Sequence, residues 1–171
     1  MSVVTLRPLT RDDIALVIEV ENDPDAAGEF SWFGFRSWTA NEPVKALRED
    51  GGHLAVVSEA GHFVGDVSWR LSMNAPPPNG ACWAIGIMIL PAFRGCGYGT
   101  EAQRELVSYL FAHTPAVRIE ASTEAGNVAE QKALERAGFV REGVLRNAVF
   151  RAGTYHDMVM YSTLREERDL P

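Results

Sequence analysis

Apolar and polar side chains alternate over "VVTLRPLT" (residues 3–10), which predicts an opening strand. The period then lengthens. "TRDDIALVIEVEND" predicts a helix with Thr10 as its N-cap and Asp13 three residues on. "DAAGEFSWFGFRSWTANEP" has no regular period, and "EPVKALRED" (42–50) predicts a second, short helix closed by Gly51-Gly52. "HLAVVSEAGHFVGDVSWRLSM" predicts two strands, Leu54–Ser58 and His62–Met73, around a tight turn at Ala60-Gly61. After the surface turn "NAPPPNG", the run "ACWAIGIMIL" is a fourth strand stopped by Pro91.

A helix from Thr100 to Ala112 places Ala102, Leu106, Val107, Leu110 and Phe111 on one stripe. "VRIEAST" is a strand, and Asn127 to Ala137 a helix ended by Gly138. The segment from Phe139 to Leu164 reads as two strands around Gly153. Mixed in this order, the elements predict one layered α/β or α+β domain over residues 1–171.

Composition narrows the class. A net charge of -7 with no dense basic block argues against binding DNA or RNA through field alone. Two cysteines, Cys82 and Cys96, are too few for a disulfide framework. The opening residues do not have the pattern of a secretory leader, and no run reaches the about 18 apolar residues that span a bilayer. These features predict a soluble cytoplasmic protein that does not engage a membrane. His53, His62, His113 and His156 are scattered without a ligand-like cluster, so no metal is expected.

The densest chemistry lies in "ILPAFRGCGYGTEA". Glycines at 95, 97 and 99 at the mouth of a helix permit sharp turns and close approach of a ligand, and aim free N–H groups outward. A phosphate or pyrophosphate suits residues 95–100, with Arg94 adding a charge-assisted bond. The alternative is a glycine-rich turn capped by Thr100. No Lys-Ser or Lys-Thr pair ends the loop, so it is not a nucleotide-hydrolase P-loop.

"RGCGYGTEA" resembles the acyl-coenzyme A binding motif of the GNAT superfamily of acetyltransferases, with Arg94, Gly97 and Gly99 at its defining positions. "TLRPLTRDD", "EAGNVAEQKALERAGFVREG" and "GTYHDMVMYSTL" are similar, in order, to segments of the branch containing the ribosomal-protein N-terminal acetyltransferases. The resemblance is weakest at residues 26–50. It implies a central mixed sheet, flanked by helices, that splays open after the fourth predicted strand. It also implies acetyl-coenzyme A as co-substrate. The pantetheine arm would run beside Ile87 and Ile89, the pyrophosphate would lie on Gly95, Cys96, Gly97, Tyr98, Gly99 and Thr100, and Asn127 would contact the arm. Asn127 is equally suited to cap its helix, with Glu130 completing a capping box.

Three positions depart from the family pattern. Ala84 stands where many members carry a glutamate base, and Leu134 where a tyrosine often protonates the departing thiolate. Glu130 occupies a place often held by serine. Glu130 and Glu120 are therefore the candidate proton handlers; Glu120 is otherwise a strand carboxylate facing solvent. Positioning alone also suffices for an amine that arrives deprotonated.

On the acceptor side, "FSWFGFRSW" (30–38) supplies Phe30, Trp32 and Phe33, joined by Trp69 and Trp83 from the strands, as apolar pocket walls. Glu29 and Glu42 carry the charge to attract a cationic amine, although the sequence does not place them facing inward. The leading expectation is an N-acetyltransferase, monomer or homodimer, acting on a small-molecule or peptide amine. Its alternatives are another acyl or aminoacyl donor, or a non-catalytic acyl-coenzyme A-binding protein.

Overall fold

The computed structural model describes residues 4–34, 47–76 and 79–168. Strand β1 (Val4–Pro8) leads into α1 (Arg11–Glu21), whose start is fixed by a full capping box. There the Asp13 N–H donates to Thr10 Oγ1, and the Asp13 carboxylate accepts from the Thr10 N–H at 2.8 Å. Asp23 caps a one-turn helix, α2 (Pro24–Ala27), which the sequence reading left irregular. The helix expected over 42–50 is corrected at its end. Residues 35–46 lie outside the described residues, and Leu47–Arg48 form a short strand, β2, paired with Gly52 and Gly51. The glycine pair thus serves a hairpin rather than a helix stop.

The remaining elements follow the expected order. They are β3 (Gly51–Ser58), β4 (Phe63–Met73), β5 (Ala81–Ile89), α3 (Tyr98–His113), β6 (Arg118–Glu124), α4 (Val128–Arg136), β7 (Val140–Arg151) and β8 (Thr154–Leu164). The strands form one mixed sheet in the order β1-β3-β4-β5-β6-β8-β7, with β2 added beside β3. Every neighbouring pair is antiparallel except β5–β6.

Helices α3 and α4 cover one face. The predicted stripe Ala102, Leu106, Val107, Leu110 and Phe111 is buried there, against Val67, Trp69, Ile85, Ile119 and Tyr161. Burying each large side chain stabilises by about 1.5–3 kcal/mol. Strand alternation sends Asp66, Ala84, Glu120 and Glu124 to the opposite face. One polar side chain, Gln103, is buried on the α3 stripe at 1% exposure.

The β7–β8 turn carries local strain. Ala152 (φ 50°) and Gly153 (φ 85°) form a two-residue connection between the paired Arg151 and Thr154. Positive φ at both positions is the geometry that Asn-Gly supplies, and an alanine there costs about 1–2 kcal/mol. Ala152→Asn is expected to raise the unfolding midpoint by about 2–4 °C in a thermal melt. An unchanged or lower midpoint would show that Ala152 is unstrained.

Candidate functional site

The parallel pairing of β5 with β6 is confined to Trp83↔Ile119 and Ala84↔Glu120. Beyond it, β5 runs on to Ile89 held only by β4, and β6 runs on to Glu124 held only by β8. The sheet therefore opens into a gap whose two walls are each fixed from behind. Ile87 and Ile89 lie on the β5 wall beyond the last paired residue. The first turn of α3 sits over them: a methyl group added at Gly99 would touch both at ordinary contact distance.

The loop entering α3 is shaped by backbone requirements. Gly95 (φ 76°) and Gly97 (φ 86°) are left-handed, a conformation costly for other residues. Gly97, not Thr100, is the N-cap, and no side chain caps the helix. The first intrahelical bond runs from the Glu101 N–H to the Gly97 carbonyl at 3.3 Å. The N–H groups of Tyr98, Gly99 and Thr100 thus lack helical acceptors, at the positive end of a 16-residue helix. The exposed Cys96 thiol donates to the Arg94 carbonyl at 3.6 Å. Arg94 clamps the frame, a role not assigned from sequence. Its Nε donates to Ile89 O at 2.9 Å and its Nη2 to Ala26 O at 2.7 Å, tying the loop to β5 and to α2.

Across the gap, Asn127 caps α4, its Oδ1 accepting the Glu130 N–H at 3.2 Å. The reciprocal half of the capping box is not made. The Glu130 carboxylate turns instead to α3, where Gln103 Nε2 donates to its Oε1 at 2.5 Å. Burial pushes the Glu130 carboxyl up to about 7, against the bond from Gln103, which pulls it down. Leu134, where the family tyrosine would stand, is core at 1% exposure.

Glu120 does not face solvent: it is 6% exposed, beside Ala84 on the face away from α3. It accepts from Asn74 Nδ2 at 2.6 Å and Arg118 Nε at 2.8 Å, and Arg118 also grips Glu142. Burial raises the Glu120 pKa, but the Arg118 and Asn74 bonds outweigh it and leave it below the usual carboxylate range. A carboxylate held ionised in this way is a weak proton acceptor.

A cleft of about 530 Å³ opens where β6 ends, beside the β7–β8 turn. Glu29, Phe30, Glu124, Arg151, His156 and Asp157 line it. Arg151 binds Glu124 through two bonds of 2.6 and 2.8 Å, holding that carboxyl below its usual range. The Arg151 guanidinium also lies over Phe30, 5.7 Å from the ring centre. Asp157 Oδ1 accepts the Asn147 N–H at 2.8 Å, supporting that residue's positive φ.

Of the aromatic wall residues read from sequence, Phe30 reaches this cleft. Trp32 is half-buried and Phe33 exposed; neither lines it. Trp69 and Trp83 are corrected: both pack into the α3-side core. Trp69 is stacked obliquely on Tyr109, with ring centres 5.9 Å apart, and Trp83 Nε1 donates to Thr114 Oγ1 at 3.1 Å. Phe35, Trp38 and Glu42 lie outside the described residues.

Comparison with known proteins bears on what this arrangement is. Residues 4–140 match the acetyltransferase (GNAT) domain family. The uncharacterized N-acetyltransferase p20 of Bacillus licheniformis is 36% identical over 170 residues, 96% of this chain and 94% of that one. The putative ribosomal N-acetyltransferase YdaF of Bacillus subtilis (strain 168) is 36% identical over 83 residues, 48% of this chain. The chain spans just under half the length, 45–46%, of YdaF and two further B. subtilis relatives. The structure of spermidine N-acetyltransferase from Vibrio cholerae, in complex with CoA and spermine, superposes with a TM-score of 0.79 at 21% identity. It covers 96% of each chain and shares the fold. With most of its length matched by the family and a full-length relative at this identity, the chain belongs to the GNAT acetyltransferases.

Proposed function

We propose that this protein transfers the acetyl group of acetyl-coenzyme A to a primary amine of a small cationic molecule or a peptide N-terminus. The observation that carries this reading is the gap between β5 and β6 beside an uncapped helix N-terminus with left-handed Gly95 and Gly97. The free amides at residues 98–100 suit the pyrophosphate, and the open edge of β5 at Ile87 and Ile89 suits the pantetheine arm. The V. cholerae relative, which binds CoA and spermine, supports both the donor and a cationic acceptor.

Acetyl-coenzyme A supplies a thioester whose thiolate departs as the amine nitrogen attacks. Glu130, with its pKa near 7, is matched to give that thiolate a proton at neutral pH. Glu120 is too firmly ionised to take a proton from an ammonium, so the acceptor enters as the neutral amine and releases its proton to water after attack. Glu29 and Asp157 give the cleft negative potential that attracts amines to it.

Thiol release from acetyl-coenzyme A, measured with spermidine, short peptides with free N-termini and a no-amine control, tests the reading. Amine-dependent release supports it. If acetyl-coenzyme A raises the melting temperature but no amine accelerates release, the protein is an acyl-coenzyme A binder rather than a transferase. Faster release with propionyl- or succinyl-coenzyme A would reassign the donor.

A further inference from the structure

A fully buried primary amide must find a donor and an acceptor, or pay the desolvation of whichever end is left unmatched. Among the described residues Gln103 has one polar partner, Glu130, and its Oε1 is buried with no donor. An ionised carboxylate only accepts, so it satisfies the amide nitrogen and leaves that oxygen orphaned. A protonated carboxyl brings an O–H. The 2.5 Å separation of Gln103 Nε2 and Glu130 Oε1 is shorter than the about 2.7–3.2 Å of N–H···O bonds; with the amide turned over, so that its oxygen takes that position, it falls within the about 2.5–3.0 Å of O–H···O bonds.

We propose that Gln103 and Glu130 form a carboxylic acid–amide pair across α3 and α4, in which Gln103 holds the Glu130 proton and is a positioning residue for the proton donor. This rests on the acid role given to Glu130 above. The surroundings leave the pair to itself. On α3, Glu101 and Arg104 bind each other at 2.6 Å, and Arg104 reaches on to the Arg136 carbonyl of α4. On α4, Lys132, Glu135 and Arg136 are exposed, and the side chains that β6 turns to this face, Ile119, Ala121 and Thr123, are uncharged. Burial is the largest influence on Glu130 and favours the acid; an N–H donated by Gln103 opposes it, an opposition that is removed when the amide turns its oxygen to the acid proton.

The pair is read directly by the carbonyl stretch of protonated glutamic acid in isotope-edited infrared spectra, with Glu130→Gln as the blank. The wild-type protein is expected to show a hydrogen-bonded acid band at pH 6 that Glu130→Gln lacks. Gln103→Met, close in length and apolar, is expected to fold, to move that band toward the position of a free acid, and to shift the matching limb of the kcat–pH profile by about one unit. The exchange Gln103→Glu with Glu130→Gln rebuilds the pair with its acid on the wrong helix. It is expected to melt near the wild-type temperature with kcat reduced about 100-fold, which a purely structural pair would not do. Absence of the acid band at pH 6, or a band and limb unmoved in Gln103→Met, overturns the proposal. Undiminished kcat in Glu130→Gln overturns the donor role of Glu130 and the positioning role with it, while the band alone reports whether the pair exists.

Discussion

Glu130→Gln is expected to make the protein more stable and the enzyme slower. A carboxyl raised from 4.5 to about 7 binds more protons folded than unfolded between those two values. Folding stability therefore falls as pH rises through that window, and the full cost is present above about 7. At about 1.4 kcal/mol per unit the cost reaches up to about 3 kcal/mol by pH 8. A glutamine avoids it. Melts at pH 8 should place the variant about 6–12 °C above the wild type, with the gap closing by pH 4.5. Turnover should fall about 100-fold near pH 6.5, since the proton for the thiolate is gone, and the alkaline loss of kcat centred near 7 should disappear. A stability gain equal at both pH values, or an unchanged kcat, would remove Glu130 from the reaction.

Opposed effects on stability and rate are what a site residue maintained at the expense of folding produces. The contrast with Glu120 is instructive. Both carboxyls are candidate proton handlers by sequence, and burial pushes both upward. Glu120 meets a guanidinium and stays charged, whereas Glu130 meets an amide and approaches neutrality. The balance between burial and the partner decides whether a carboxyl is an ion or an acid near pH 7.

That partner is what sequence could not display. The Thr10–Asp13 capping box and the five-residue α3 stripe are local patterns, and both are found as read. The glycine loop is legible for the same reason: the φ requirement and the helix start lie within a few residues. Gln103 meets Glu130 across 27 positions, Arg151 meets Glu124 across 27, and Asn74 meets Glu120 across 46. These pairings exist only once β5, β6 and the helices are assembled. A signal was present in one of them, since a glutamine on the buried stripe of α3 requires a polar partner. Similarly, Asp23 before Pro24 is a helix start, overlooked because the helix is one turn long. Over 47–50, helix-forming residues concealed a hairpin that becomes visible only when Leu47 pairs with Gly52.

The second large effect is expected at Gly97. Its left-handed backbone starts the helix and leaves the amides of Tyr98, Gly99 and Thr100 without helical acceptors. An alanine there either holds that conformation at a cost of about 1–2 kcal/mol or relaxes and turns the amides away. Losing one charge-assisted backbone bond to the pyrophosphate costs about 1.5–3 kcal/mol, so Gly97→Ala should raise the KM for acetyl-coenzyme A about 10–100-fold. In the proposed reaction the pyrophosphate is remote from the bond being broken and would be held equally before and during transfer, so kcat should change little. Gly61 provides the control. It has the same left-handed φ (82°) with nothing within 4 Å of an added methyl, in the β3–β4 turn. Gly61→Ala should lose comparable stability and keep the wild-type KM. Titration calorimetry with coenzyme A, run on both variants, separates strain from ligand loss. Equal weakening in the two would mean that the cradle is not at Gly97.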